Sequence, residues 1–442
     1  MIMQEWTKWL GHLENLDLIN AYDMKPVIDG KALSTALGLR PGPWMKDALD
    51  VVMAWQLRNP QSATKEGAIE EVKKHQGELT SVLIRHFLTL TIRPLFAKKQ
   101  IRNVTATGRA QMTQPVLQER FVGAEEEEAA TRPWKNDPFA IDILAWVVRS
   151  LTPKLAERHW PLLIPPILIL LDDMDLKYKT IGCNMISDLL KATPSSLLTR
   201  TGLGPVFSDA VTPCLSYLPT LTPEVESRPL LEAAYRALFV LVDLQYPKER
   251  SAKTPHKPSP HALQLSRVLH SHIIPGIAHI IEESPTLLAT LLLQLQTVIK
   301  ELEIDSINHI MHIMPILTEI LANDDCYFIP SLGLEALKTL QLLITNCSLR
   351  IYRWRINVLK CVCDTWLGIK NEQERWSKVK EPTPVLDDAQ EQVKVVVDML
   401  VSALDATADQ HEEKVDVRSE IRHLVNADGE LRGAFAKYLA FT

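Results

Sequence analysis

The chain has 442 residues, 46% of them hydrophobic and 23% charged, enough to bury a large core. Its net charge is −6 and its pI about 6.1, which excludes nucleic-acid binding driven by bulk charge. Only 16 residues are Gly while 28 are Pro, a balance that suits helices separated by proline punctuation. The six Cys are Cys183, Cys214, Cys326, Cys347, Cys361 and Cys363, and none forms a CxxC pair. Most sit in apolar helical runs, so reduced, buried thiols in an intracellular protein are expected. The first residues carry Glu5, Lys8 and Glu14 between apolar positions and give no secretory signal. The greasiest run, residues 162–171, is interrupted by Pro165-Pro166 and is too short for a bilayer, so a soluble chain without membrane contact is expected.

In chain order, residues 1–97 read as a small helical domain. Asp29 caps a short helix that ends at Gly38, and Pro41-Gly42-Pro43 makes the following turn. Pro43 suits the first position of the next helix, whose buried stripe is Trp44, Ala48, Val51, Val52 and Trp55 and which stops at Asn59-Pro60. Free amides at that helix start, flanked by Arg40 and Lys46, suit an RNA phosphate; the competing reading is a solvated basic edge. Residues 98–137 read as a linker with an acidic, solvated run at 125–128.

Residues 138–442 read as a HEAT or armadillo-like helical-repeat solenoid, making the whole chain all-α. Apolar residues recur at helical spacing: Phe139, Ile143, Trp146, Val147; Leu231, Ala234, Tyr235, Leu238, Val242; Ile307, Ile310, Met311, Met314, Leu317, Leu321; Ala336, Leu337, Leu340, Leu343, Ile344. Helix pairs fall at 160–198, 205–246, 261–302 and 306–345, near the ~40–47 residue period of such repeats. The pairing predicts that Leu170, Met185, Leu189 and Leu215 are buried between layers along with Leu238, Leu317 and Leu340. It also predicts an exposed loop at the Pro-rich insert, residues 247–260. In the first repeat, Asp172, Asp173 and Asp175 lie in the turn before the second helix, where its dipole favours negative charge. Lys177 and Lys179 follow, placed to pair with acids of the adjacent repeat.

The motif search favours no enzyme. Asp173-x-Asp175 lacks the strand and Gly-rich loop that a nucleotidyltransferase metal pair needs. His270 and His272 flank Ser271, and His309 and His312 are three apart, but no third ligand accompanies them, so ordinary histidines are expected. Trp354 and Trp366 fit a helix core with Val358, Leu359 and Val362. No catalytic residues, cofactor or metal site are expected from the common fingerprints.

Two stretches resemble known families. Trp160-Pro161-Leu162-Leu163-Ile164-Pro165-Pro166, Leu170-Leu171-Asp172-Asp173-Met174-Asp175 with Tyr178-Lys179, residues 200–207 and residues 213–219 carry the first. Through them, about 114–442 resembles the smaller Tel-interacting subunit family of the TTT co-chaperone complex. The resemblance implies an all-helical scaffold without catalytic residues, joined to the other two TTT subunits. It also implies support for the maturation and stability of phosphatidylinositol-3-kinase-related kinases with the heat-shock chaperone machinery, a link to telomere maintenance, and a cytoplasmic and nuclear location.

Lys25-Pro26, Asp29-Gly30-Lys31, residues 37–44 and Trp55-Gln56-Leu57-Arg58-Asn59-Pro60 carry the second resemblance. Here residues 1–111 resemble the C-terminal body and tail of eukaryotic CCA-adding tRNA nucleotidyltransferases. That implies a tRNA-binding fragment. The family's catalytic head, with its Gly-rich loop and metal carboxylates, has no counterpart in this chain, so nucleotide transfer by this chain alone is not expected.

Overall fold

The computed structural model describes residues 6–8, 11–12, 24–37, 44–59, 63–96, 108–109, 132–248, 258–323, 330–377, 384–408 and 416–439. Among the described residues, helices and turns make up the secondary structure and there is no strand. No helix among them is long and apolar enough to cross a membrane. The chain divides into two compact units, one of residues 1–98 with 121–151 and one of residues 99–120 with 152–442.

The first unit begins with α1 (Gly30–Leu37), α2 (Trp44–Arg58) and α3 (Lys65–His86). Asp29 caps α1, its Oδ1 accepting from the Ala32 amide at 2.7 Å. Thr64 caps α3 in the same way through the Gly67 amide. The three helices close on Ile28, Leu33, Ala48, Val52, Ala68 and Val72, with Val51 and Trp55 packed against them. Gln56 is buried, and its carboxamide accepts from the Val27 amide at 3.0 Å and donates to the Lys25 carbonyl at 3.2 Å. Two glycines mark close approaches. A Cβ on Gly30 would lie 2.4 Å from Met45 Cε, and one on Gly67 would lie 2.7 Å from the Trp55 ring.

The α3 helix widens through a π-turn, Phe87–Ile92, into Arg93–Phe96. Phe96 stacks on Trp134 of the single turn Pro133–Asn136, with ring centroids 5.4 Å apart. The unit ends with α4 (Ala140–Arg149). Its buried face is Ala140, Leu144, Val147 and Val148, whereas Phe139 and Trp146 are exposed. Of the expected stripe, Val147 is buried and Ile143 half-buried, while Phe139 and Trp146 fall outside it. Trp146 instead packs edge-on against Phe87. With apolar residues on several sides of so short a helix, spacing alone does not select the buried face.

The second unit stacks helix pairs in two layers. One layer holds α5 (Pro153–Leu171), α7 (Ser195–Thr201), α8 (Gly204–Val211), α10 (Pro260–Val268), α11 (Ile274–Ile280), α13 (Ile310–Ala322) and α15 (Arg355–Ser377). The other holds α6 (Leu176–Lys191), α9 (Glu224–Gln245), α12 (Pro285–Leu302), α14 (Pro330–Asn346) and α16 (Pro384–Thr407). In this second layer α6 packs on α9, α9 on α12, α12 on α14 and α14 on α16. In the first layer α13 packs on α15. Two short helices, α17 (Val417–Ala427) and α18 (Arg432–Leu439), finish the stack against α16.

Leu170, Met185, Leu189, Leu215, Leu238, Leu317 and Leu340 are all buried, as the repeat spacing predicts. Three details differ from the sequence reading. Helix α5 starts at Pro153, capped by Thr152, and runs without a break through Pro161, Pro165 and Pro166. Met311 is 58% exposed, because it lies off the face of α13 that Ile313, Met314, Leu317 and Leu321 bury; a 3-10 turn, Glu303–His309, precedes the helix. Trp354 lies in another 3-10 turn, while Trp366 is buried in α15 with its indole Nε1 donating to the Glu430 carbonyl.

The stretch 98–137 is described only at Gly108, Arg109 and 132–137. Gly108, at φ 70°, rests against Trp160 and Pro161, and its carbonyl accepts from Trp160 Nε1 at 3.1 Å. Of the insert at 247–260, residues 249–257 lie outside the described residues, as does the acidic run at 125–128.

Candidate interaction surface

The turn between α5 and α6 is built from its acids. Asp173 is fully buried and its Oδ1 accepts from the Asp175 amide at 2.9 Å. Asp175 then caps α6 through the Lys177 amide at 2.9 Å. These bonds satisfy amides that a helix start leaves open, and the helix dipole favours the carboxylates there. Asp172 is exposed beside them.

The lysines do something other than the expected cross-repeat pairing. Lys179 is buried and donates from Nζ to the Leu171 carbonyl at 2.8 Å, so it closes the C-terminal end of α5. Its ammonium also stands 5.5 Å from the ring centre of Tyr217 in the following repeat. Lys177 is exposed, with its ammonium near the neighbouring Tyr178 ring.

The polar ties between successive repeats come instead from residues that the sequence reading did not single out. Arg236 donates to Asn184 Oδ1 from α9 to α6. Gln296 on α12 donates to the Glu335 carboxylate and carbonyl at the start of α14, and Asn346 on α14 returns a bond to the Ile299 carbonyl. Gln341 continues the line to Gln392 on α16. Amides at matching heights on stacked helices are the signal, and it emerges only once the repeats are in register.

The turn edge also carries apolar side chains in water. Met174 is 81% exposed, Leu221 93% and Val225 86%. The same edge is pinned to the next repeat by Ser284 donating to Glu224 Oε2 at 2.6 Å and by His279 against the Pro219 carbonyl. Rigid turns with exposed Met, Leu and Val fit a protein-binding edge.

The histidines gather in part. His270 Nε2 is 2.9 Å from His309 Nδ1, and His309 Nε2 is 2.8 Å from Ser266 Oγ. His312 lies edge-on to His270 with centroids 4.9 Å apart. Burial first, then the neighbouring His270 and His312, hold His309 below the usual histidine range, while Asp305 opposes them. Cys183 and Cys214 meet through a side-chain hydrogen bond that raises the first thiol and lowers the second; burial raises both. Cys183, Cys214, Cys347, Cys361 and Cys363 are free thiols, and Cys326 lies outside the described residues.

In the first unit, Lys46 is exposed in the first turn of α2 beside Asp47. Arg40, its expected companion at an RNA phosphate, lies outside the described residues. The other residues of that segment have structural tasks: Asp29 caps, Gly30 admits Met45, and Gln56 ties Lys25 and Val27 to α2.

The two-layer stack of helix pairs defines an all-helical repeat protein. The model of the Tti2 family matches residues 52–326, more than half of the chain, and the chain belongs to that family. Shorter matches run to a second group. The chain is 51% identical over 74 residues to the nucleotidyltransferase lcsQ of Purpureocillium lilacinum, covering 17% of this chain and 12% of that protein. It is 40% identical over 55 residues to the tRNA nucleotidyltransferase cca2 of Schizosaccharomyces pombe, covering 12% and 10%. It is 27% identical over 66 residues to the mitochondrial CCA tRNA nucleotidyltransferase of Saccharomyces cerevisiae, covering 15% and 12%. The chain thus spans only about a tenth of the length of these curated relatives. No solved structure matches it.

Proposed function

We propose that this protein is a non-enzymatic scaffold subunit of a TTT-type co-chaperone complex. It binds the other two subunits and supports maturation and stability of phosphatidylinositol-3-kinase-related kinases, and with them telomere maintenance, in cytoplasm and nucleus. The family match, which takes in the helix pairs from α5 to α13, carries this reading. Affinity purification of the tagged full-length protein is expected to recover both other TTT subunits, with the kinases and heat-shock chaperone machinery reached through them. Depleting the protein is expected to lower the steady-state level of those kinases. Recovery of tRNA-processing proteins without the TTT subunits would sink the reading.

The local likeness to tRNA nucleotidyltransferases supports a second reading, tRNA binding through residues 1–97. It expects the full-length protein to retard tRNA at low micromolar concentration with steep salt dependence. Lys46→Glu and Arg40→Glu are then expected to weaken binding. Absent or salt-independent retardation removes this reading.

A further inference from the structure

The insert at 247–260 leaves α9 and returns into α10, and three different ligand-bearing side chains meet at its base. Asp243 lies in the last turn of α9, His261 is the second residue of α10, and Glu301 is near the end of α12. One ligand atom from each lies within 4.8 Å of the others. His261 is 3% exposed and its Nε2 is 2.8 Å from Asp243 Oδ1. Packing fixes the imidazole, whereas the Asp243 carboxylate is largely in water and Glu301 is partly so. The cluster already attracts a cation. The Lys248 ammonium pairs with Glu301, and Asp243 and Glu303 also face it.

We propose that Asp243, His261 and Glu301 form a binding site for a zinc-like divalent cation, with Lys248 as the cation that a metal ion must displace. The donor set is one imidazole nitrogen and two carboxylate oxygens, leaving a fourth tetrahedral position for water. Zinc bonds of ~2.0–2.2 Å require the three donor atoms to draw closer together, which rotation of the two accessible carboxylates provides. Magnesium and calcium favour six or more oxygen donors, so the nitrogen and the low ligand number favour a transition-type ion. The imidazole must offer a lone pair at Nε2 to the ion. Asp243 and Glu301 face His261, and Lys248 faces Glu301, Asp243 and Glu303. A bound ion would join both ends of the insert to α12 in place of a salt bridge and a hydrogen bond.

The test uses full-length protein stripped with a chelator and titrated with zinc sulfate by calorimetry, with bound zinc counted by elemental analysis after dialysis. One zinc per chain is expected at micromolar affinity. Glu301→Gln, on a partly exposed side chain, is expected to weaken binding at least tenfold, and His261→Ala likewise. Lys248→Ala is expected to strengthen it several-fold, which separates a metal site from an ion-pair network that merely needs its lysine. Absence of zinc uptake overturns the proposal. So does uptake that Glu301→Gln and His261→Ala leave unchanged, or a Lys248→Ala protein that binds zinc no more tightly.

Discussion

Gln56 shows how a single side chain can decide whether a segment belongs to a fold. It satisfies one donor and one acceptor, the Val27 amide and the Lys25 carbonyl, through part-buried bonds. Gln56→Ala leaves both groups without that partner and is expected to lower stability by ~1–3 kcal/mol, measured by chemical denaturation. His309 supplies a pH effect. Its folded-state pKa is depressed, chiefly by burial, so the unfolded chain takes up the proton first as pH falls. Its contribution is complete above about pH 6.5 and is lost below it. The thermal midpoint is therefore expected to drop between about pH 7 and 5.5, and to drop less in His309→Asn; equal slopes would exclude His309 as the cause.

At the scale of elements, the sequence was most legible where a helix has one wet face. Leu231, Ala234, Tyr235, Leu238 and Val242 on α9, and Ala336, Leu337, Leu340, Leu343 and Ile344 on α14, are all buried as their spacing foretold. Leu238→Ala is expected to cost ~2–5 kcal/mol by the same denaturation measurement, since both layers hold the site open. Legibility failed where local geometry intervenes. The three prolines of α5 look like breaks, yet the helix continues through them, enclosed by its neighbours. Met311 faces outward on α13, since an apolar residue just beside a buried stripe looks in the sequence like a member of it. Of the acids of the first-repeat turn, Asp175 caps α6, whereas Asp172 stands at the C-terminal end of α5. Their lysine neighbours were not legible, because the carbonyl that Lys179 reaches is defined only by the end of α5. The amide ties at Asn184, Gln296, Gln341 and Asn346 carry no local signature at all.

At the scale of the whole molecule, the stacked unit makes contacts mainly between neighbouring pairs, so its interaction edge can be altered without disturbing the core. Met174 and Leu221 project from turns and Val225 from the first turn of α9, none of them from a packed face. Changing all three to Glu is expected to leave the thermal midpoint within a few degrees of the parent while reducing recovery of partner subunits in affinity purification. Full recovery with this triple variant would move the interaction elsewhere on the stack.

The insert at 247–260 has a practical consequence. Its ends are fastened at the base by Asp243 with His261 and by Lys248 with Glu301, so the spacing of the ends does not depend on what lies between them. Loop-closure entropy rises only slowly with length. A fluorescent protein spliced between Thr254 and Pro255, through flexible spacers, should therefore report the position of the folded scaffold in living cells while leaving the register of the repeats untouched.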